Sequence, residues 1–274
     1  MTNIIRNRLF FYSFFTAIAF VSCNQQNKAD IEHDSLGNKI FVQRDSSGKI
    51  VARRILIDSS KHSEIVLKYD NNGILADSFC STNGKIEGIR KQLDDSDGVI
   101  LTTYSEGVQK GEKKAYYSNG KMFYSGFKNG DKMVHEWNYY YKSGIRSSYK
   151  YYSAQGNLTY VRMYDNHGKL TLKKGAGIIE FRYKNDTVKL NDSFHSTMII
   201  ANPPNSTVTV FHEDLDKNEN PVKTTQLQNN EGQATVVIEA TKKGHWVLGF
   251  KWNIYDSITH ETESGKQKMI LYVK

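Results

Sequence analysis

Short apolar runs separated by polar, turn-forming residues dominate the chain from Ile31 to Lys174. Residues 40–42 read Ile-Phe-Val and residues 55–57 read Ile-Leu-Ile, with polar residues and glycines close to both runs. β-branched and aromatic residues in runs of this length favour strands, and the 3.6-residue period of an amphipathic helix is nearly absent. The pattern therefore predicts β-structure throughout this region.

Glycines that end polar clusters recur at a nearly constant interval in the same region. The first series is Gly48, Gly73, Gly98, Gly120, Gly144 and Gly168, with intervals of 25, 25, 22, 24 and 24 residues. A second series falls between its members: Gly37, Gly84, Gly107, Gly130 and Gly156, with no clear member between Gly48 and Gly73. A period within about 20 to 50 residues indicates stacked supersecondary units. We therefore predict tandem β-hairpins that form one extended antiparallel sheet over residues 31–176.

Two Asn-Gly pairs in this sheet, Asn119–Gly120 and Asn129–Gly130, lie between aromatic-rich runs. Asn-Gly readily accepts the two positive φ angles that a type I′ hairpin turn requires. The sequence therefore predicts a tight type I′ turn at each pair.

The pattern changes after Gly175-Ala176-Gly177, where the Asn-Gly cassettes stop and longer runs rich in Val, Ile and Thr begin. Seven candidate strands follow, at residues 178–183, 196–200, 207–212, 222–226, 232–239, 246–255 and 267–273. Seven short strands in about 100 residues are typical of an immunoglobulin-like β-sandwich, although the Cys-Trp-Cys core of antibody domains is missing. The sequence predicts such a sandwich over residues 177–274.

The segment Gly111-x4-Tyr116-Tyr117-x-Asn119-Gly120-Lys121 resembles the motif of MORN-variant repeats, and weaker copies extend the resemblance over residues 34–172. This resemblance implies extended hairpin sheets. Some members of that family carry an antitoxin-type label, which implies binding and not catalysis. Residues 216–222, with 232–234 and 244–246, resemble the immunoglobulin-like modules of bacterial surface proteins.

The N-terminus has the features of a secretory signal. Arg6 and Arg8 precede thirteen mostly apolar residues, 9–21, and this run is shorter than the roughly 20 residues that a membrane-spanning helix needs. The end of the run, with Ser22 and Cys23, resembles a bacterial lipobox. The resemblance implies that residues 1–22 are removed, that Cys23 carries the lipid, and that residues 23–30 form a flexible tether. An ordinary signal peptide with an incidental cysteine is the alternative.

Charge and cysteine content agree with an exported protein without disulfides. Loss of Arg6 and Arg8 lowers the formal net charge from +8 to +6. Only Cys23 and Cys80 are present, so lipidation of the first leaves no internal disulfide. We expect Cys80 to be a small packed side chain without chemistry.

Thirteen of the seventeen tyrosines lie between Tyr69 and Tyr164, so aromatic side chains must supply much of the cross-strand packing. The functional alternative is a stacking platform for a glycan or a peptide. Because neighbouring strand residues alternate between faces, Tyr139, Tyr140 and Tyr141 must place rings on both. The candidate binding face comprises Tyr116, Tyr124, Trp137, Tyr139, Tyr140 and Tyr141.

Basic residues are interleaved with these rings at Lys113, Lys114, Lys121, Lys128, Lys132, Lys142, Arg146 and Lys150. This mixture could bind nucleic acid, but an exported protein rarely meets nucleic acid, and interspersed acidic residues dilute the charge. A solvated face that opposes aggregation is the alternative. We expect no nucleic-acid partner.

No catalytic or metal-binding motif is recognisable in the chain. The eight histidines form no metal-binding spacing, and no nucleophile elbow or phosphate loop occurs. The run Asp214-x-Asp216-x-Asn218-x-Asn220 has alternate oxygen ligands, but Glu219 and Thr225 stand where a calcium loop requires Gly and Glu, so a polar hairpin loop is the better interpretation. We expect no enzyme activity, cofactor or metal.

The sequence therefore predicts a lipoprotein of the cell envelope, with the outer membrane favoured and the leaflet unassigned. It would act as a binding or scaffolding module for an envelope protein or glycan through its repeat sheet. The first alternative is an immunity or antitoxin-like protein that neutralises a protein toxin in the periplasm. The second is an enzyme of unrecognised type.

Overall fold

A computed structural model of the chain describes residues 30–216 and 218–274. Regular structure in these residues consists of strands, without helices, and the predicted all-β fold is confirmed. It follows that this part of the chain offers no helix able to cross a membrane. Cys23, the predicted signal of residues 1–22 and most of the predicted tether lie outside the described residues.

Thirteen strands form one sheet in which each strand pairs antiparallel with the next along the chain. The predicted extended sheet of consecutive hairpins is confirmed. The strands are β1 (Asp30–His33), β2 (Lys39–Arg44), β3 (Ile50–Asp58), β4 (Ser63–Tyr69), β5 (Leu75–Thr82), β6 (Lys85–Leu93), β7 (Val99–Ser105), β8 (Val108–Tyr116), β9 (Met122–Asn129), β10 (Lys132–Tyr140), β11 (Arg146–Tyr152), β12 (Leu158–Tyr164) and β13 (Leu170–Gly175).

The two glycine series mark the two ends of the hairpins. The first series lies in the turns that follow β2, β4, β6, β8, β10 and β12, here called the upper turns. The second lies in the lower turns at the other end, where His62, with φ of 46°, replaces the missing glycine. In one upper turn Asp97 and not Gly98 has positive φ, so the left-handed residues are spaced 25, 24, 23, 24 and 24 apart. The structural repeat is therefore more regular than the glycine series.

The predicted type I′ turn at Asn119–Gly120 is wrong. Only Gly120 has positive φ there, 78°, and the Gly120 amide donates to the Tyr117 carbonyl while the Tyr117 amide donates to the Lys121 carbonyl. This is the three-residue hairpin loop that ends in a left-handed glycine. At the second pair Asn129 ends β9, and Gly130 is the first loop residue. Asn129 does not have positive φ, so the second predicted turn is wrong as well. In this sheet two positive φ angles occur together at Asn83–Gly84 and at Glu106–Gly107 instead.

The remaining strands form a four-stranded and a five-stranded sheet. They are β14 (Ile178–Tyr183), β15 (Thr187–Val188), β16 (Ser193–Ile200), β17 (Ser206–Leu215), β18 (Pro221–Leu227), β19 (Asn229–Asn230), β20 (Gln233–Glu239), β21 (Gly244–Asp256) and β22 (Thr262–Val273). The orders β14-β16-β20-β19 and β15-β22-β21-β17-β18 match the arrangement of immunoglobulin sandwiches. Buried Phe194, Met198, Phe250 and Leu271 from the two sheets share one core. The two-residue strands β15 and β19 were not predicted.

The long sheet has a front face, which carries Tyr124, Trp137 and Tyr139, and a back face, which carries Tyr149, Tyr160 and Arg162. The back face of β11 and β12 packs against the sandwich, because Tyr149 and Tyr160 belong to the sandwich core cluster. The sandwich therefore covers the back of the last strands and leaves their front face open.

A buried charge network joins the sheet to the sandwich. Arg162, only 2% exposed, donates to Tyr160 at 2.8 Å, to Glu263 at 2.9 Å and to Asp256 at 3.3 Å. The Tyr164 hydroxyl also donates to Asp256, at 3.1 Å. Removing one partner of a buried ion pair strongly destabilises a protein, because the other charge stays buried without compensation. This network therefore holds the last strands against the sandwich.

Cys80 is exposed in β5, contrary to the expectation of a packed side chain. It pairs with Ile65 and Glu87 on the back face. The side-chain hydrogen bonds that join the sheet to the sandwich come from β11 and β12, away from Cys80 in β5.

Candidate binding face

Three of the six predicted binding residues form one aromatic cluster on the front face. The ring centroids of Tyr124 and Trp137 are 5.7 Å apart, those of Tyr124 and Tyr139 are 5.9 Å apart, and those of Trp137 and Tyr139 are 6.1 Å apart. The cluster forms because β9 and β10 pair Tyr124 with Tyr139. Aromatic pairs at these distances stabilise each other beyond their burial.

The other three predicted residues lie elsewhere. Alternation along β8 and β10 places Tyr116 and Tyr140 on the back face. Tyr141 begins an upper turn, and its hydroxyl donates to the Tyr164 carbonyl at 2.8 Å. The predicted division of Tyr139 and Tyr140 between faces agrees with this geometry, but the six residues do not form a single surface.

Trp137 is buried beneath its neighbours, which corrects its inclusion among the residues of the candidate binding face. Its side chain is 4% exposed, and its Nε1 donates to the Phe127 carbonyl at 3.1 Å. The residue opposite is Gly126, where a Cβ would lie 2.1 Å from Trp137 Cδ2. The indole fills the space that the glycine leaves, so Trp137 supports the face from below.

Tyr124 and Tyr139 are half-buried and supply the accessible part of the cluster. Burial raises the pKa of both hydroxyls, and the pKa of Tyr139 is well above its ordinary value of 10.0. Both hydroxyls therefore remain neutral at physiological pH. They can donate a hydrogen bond to an anion or a sugar hydroxyl without adding negative charge.

Lysines run across the front face in a row defined by strand pairing. Lysines occupy three of its six positions. In strand order the row is Lys113, Gly126, Trp137, Lys150, Val161 and Lys174. Neighbouring strands are about 4.8 Å apart, so the row crosses six strands in roughly 24 Å. The Lys150 ammonium lies 4.8 Å from the centroid of the Tyr139 ring, which is a cation–π contact.

The front face of strands β7 to β13 is free of acidic strand residues. Glu112 and Glu136 are the acidic residues within these described strands, and both pair with back-face positions. Burial, and then the nearby charge of Lys128, lowers the pKa of Lys113. Burial and Lys128 therefore disfavour the charged form of Lys113, and a nearby anion would favour it.

Front-face arginines earlier in the sheet have acidic partners. Arg54 Nε lies 2.9 Å from a Glu64 oxygen, and Arg90 makes two bonds to Asp77, at 2.9 and 2.7 Å. The guanidinium of Arg90 also lies 5.5 Å from the centroid of the Phe79 ring. The front face of the earlier strands therefore carries acidic as well as basic side chains.

Sequence reasoning recognised the lysines but assigned them to a solvated face, and it missed the Arg162 network. A signal was present in β12, where Tyr160, Arg162 and Tyr164 alternate on one side of the strand. Their acidic partners Asp256 and Glu263 are more than 90 residues away, so the pairing needs the tertiary fold.

Metal binding has no visible support in the described ranges. Residues 30–216 and 218–274 contain no group of three or more His, Cys, Asp or Glu side chains that could hold an ion. The Asp216 carboxylate accepts the amides of Asn218 and Asn220, at 2.9 and 2.8 Å, within the turn between β17 and β18. This agrees with the interpretation of that segment as a polar hairpin loop.

Comparison of the chain with protein-family models finds no match, and comparison with curated proteins finds no relative. The resemblances to MORN-variant repeats and to bacterial lipoproteins therefore stay predictions. The function of the front face is inferred from its own residues.

Proposed function

We propose that this protein is a lipid-anchored module of the cell envelope that binds an anionic partner, glycan or protein, through the front face of β7 to β13. One observation carries the proposal: lysines and half-buried tyrosines share a face on which these strands place no acidic residue. The module acts by binding or scaffolding and performs no catalysis.

The combination of rings and cations supports binding of an anion. Tyr124 and Tyr139 offer large amphipathic surfaces, which dominate interface energetics. Lys113 and Lys150 supply positive charge. These strands place no carboxylate on the same face that would compete with an anionic partner. Clustered like charge also raises the association rate of an oppositely charged partner, and salt weakens this effect.

Charge reversal on the two faces tests the proposal. We expect Lys113→Glu/Lys150→Glu to lose most retention on immobilised polygalacturonate, and most capture of envelope partners, at low salt. The matched control is Lys91→Glu/Lys110→Glu, which makes the same charge change at exposed back-face positions. Equal loss in both variants would show that only net charge matters. Equal retention of the wild type on uncharged dextran would exclude recognition of anions.

The proposed anchor is Cys23, and no membrane attachment of the described residues is needed. A diacylglycerol and an amide-linked acyl chain on Cys23 would bury three chains, and each buried CH₂ would contribute about 0.8 kcal/mol, so release would be negligible. Metabolic labelling with a palmitate analogue should mark the wild type and not Cys23→Ser. Equal labelling of the two would contradict lipidation at this residue and the outer-membrane location built on it.

A second candidate function, immunity against a protein toxin, is favoured by the back face. Ile89, Val108 and Phe127 lie there and are 62, 51 and 44% exposed, and exposed apolar side chains are typical of protein interfaces. Under this function, Phe127→Ser should abolish toxin capture while Lys113→Glu/Lys150→Glu does not. The opposite pattern would favour the front face.

A further inference from the structure

A cavity of about 420 Å³ lies where two upper turns of the sheet meet the sandwich. Ile145 and Arg146 contribute one wall after β10, and Tyr164 contributes another at the end of β12. Pro204 and Ile258 from two loops of the sandwich complete it. The volume falls within the range of small-molecule sites, roughly 300 to 1,000 Å³.

Arg146 is the charged residue that distinguishes this cavity. It is only 9% exposed, and its guanidinium lies 5.5 Å from the centroid of the Tyr164 ring. One terminal nitrogen donates to the Pro204 carbonyl, the other lies 3.5 Å from the Tyr164 hydroxyl, and buried Nε has no hydrogen-bond partner in the described residues. The side chain also forms no ion pair there, in contrast with Arg162.

The carboxylate that lines the cavity is already committed elsewhere. Asp256 accepts from Arg162 at 3.3 Å and from Tyr164 at 3.1 Å through Oδ2. Its Oδ1 accepts the amides of Ile258 and Thr259, at 3.0 and 3.3 Å. Arg162 pairs with Asp256 and Glu263, and the Lys173 ammonium lies 3.9 Å from the other Glu263 oxygen, so two cations balance these two carboxylates. Arg146 therefore stays a buried cation without a carboxylate of its own. Burying a charge without a partner is costly, and an incoming anion would offset that cost.

We propose that this cavity binds a carboxylate group attached to an apolar body, with Arg146 as the anion-binding residue. The flat guanidinium suits a carboxylate, and Ile145, Pro204 and Ile258 provide apolar contact for the rest of the ligand. A free organic acid and the C-terminus of a peptide share this chemistry. The site lies beside the sandwich and is separate from the front face, so it goes beyond the proposed function.

Thermal unfolding of the full chain tests the site. Benzoate at about a hundredfold excess over its dissociation constant should raise Tm by roughly 5 to 10 °C, because a ligand stabilises the state that binds it. Benzamide, which has the same shape without the charge, should not raise Tm. Ac-Leu-Phe with a free C-terminus, compared with its C-terminal amide, distinguishes a peptide end from a free acid. A Tm that is unchanged by every carboxylate, or raised equally by benzamide, would overturn the proposal.

Substitutions locate the binding. Arg146→Gln should weaken benzoate binding at least tenfold, whereas Arg182→Gln, which changes an exposed arginine paired with Glu180 at 3.0 Å, should leave it unchanged. If Arg146→Gln does not fold, Ile258→Trp fills the cavity from an exposed position and keeps Arg146. Benzoate binding that survives Ile258→Trp and any folded Arg146→Gln would place the ligand elsewhere.

Discussion

The two halves of the hairpin sheet are built from one repeat, yet they differ in charge and in support. In strands β1 to β6 the front-face arginines Arg54 and Arg90 have acidic partners, and no buried network joins the back face to the sandwich in the described residues. In strands β7 to β13 the front face carries lysines without acidic strand residues, and the back of the last strands is joined to the sandwich through Arg162.

A repeat can therefore keep its backbone while the side chains on its faces differ in charge and in contacts. The spacing of the upper turns changes little along the sheet, and strands β3 to β12 all have seven to nine residues, because neighbouring strands must share their hydrogen bonds. Side chains on either face are free to vary. Support from the sandwich makes the later strands the better place for a surface whose like charges repel one another.

The largest expected effect comes from removing the charge that joins sheet and sandwich. Arg162→Met leaves Asp256 and Glu263 buried without their cation, so the free energy of unfolding should fall by about 3 to 5 kcal/mol. The matched change in the first half, Arg90→Met, should cost less, about 2 kcal/mol, because the Arg90 side chain is 22% exposed although Asp77 is buried. Guanidinium denaturation measures both. Equal losses in the free energy of unfolding would mean that the two arginines contribute equally to stability.

The front-face packing of the second half should be sensitive to Gly126. In Gly126→Val the new side chain meets the Trp137 ring, so the free energy of unfolding should fall by about 2 to 3 kcal/mol. Adding Trp137→Leu should recover part of the loss, since a smaller side chain makes room. Urea denaturation of the single and double variants gives the coupling between the two sites. Strictly additive losses would show that the two residues do not share this space.

Corresponding upper turns in the two halves can be compared through Gly120 and Gly73. Each has positive φ, so Gly120→Val and Gly73→Val should both cost about 1 to 2 kcal/mol. Gly120→Val should cost more, because its turn is bonded to the next one: the Tyr117 hydroxyl donates to the Tyr140 carbonyl at 2.8 Å. Melting temperatures test this order. Asn in place of Gly120 is the control, since Asn tolerates positive φ, and a larger loss for Gly73→Val would contradict the comparison.

The smallest expected effect concerns Glu136 on the back face of the second half. Burial raises its pKa above 4.5, against the effect of the bond from the Tyr149 hydroxyl at 2.8 Å. The folded protein therefore holds this proton more tightly than the unfolded chain, and stability falls as pH rises from 4.5 through the raised pKa. Glu136→Gln should remove that slope and be slightly more stable at pH 7. Denaturation midpoints at pH 4, 5.5 and 7 test it.

The control for this change is Glu112→Gln, at a partly exposed back-face position beside Lys114. It should keep the pH dependence of the wild type. The same slope in wild type and Glu136→Gln would contradict the assignment to Glu136.

Much of the fold could be predicted because its signals are local. The glycine intervals identified the hairpins, and alternation along a strand divided Tyr139 from Tyr140 correctly. The turn type at Gly120 could not be read from Asn-Gly alone, because the hydrogen bond between the Tyr117 amide and the Lys121 carbonyl decides the loop length. Gly98 misled the spacing by one residue, since Asp97 took the left-handed conformation.

The candidate site was predicted less well, because faces and burial depend on pairing between strands. Trp137 is buried only because Gly126 lies opposite, and that partner follows from a register shift within β10. The open front face likewise depends on where Glu112 and Glu136 point. The cavity at Arg146 joins residues more than 50 positions apart, so no local pattern could reveal it.

The regular upper turns also determine how this protein can change in length. Removing or adding one unit of about 24 residues changes the sheet by two strands, or roughly 10 Å, and leaves the chain direction at the next strand unchanged. A change of one strand would reverse that direction and exchange the front and back faces for every later residue. With thirteen strands the first and last are separated by about 58 Å along the sheet. If Cys23 holds the chain at a membrane, the sheet is a spacer, and its reach can be adjusted in whole hairpins without disturbing the sandwich at its far end.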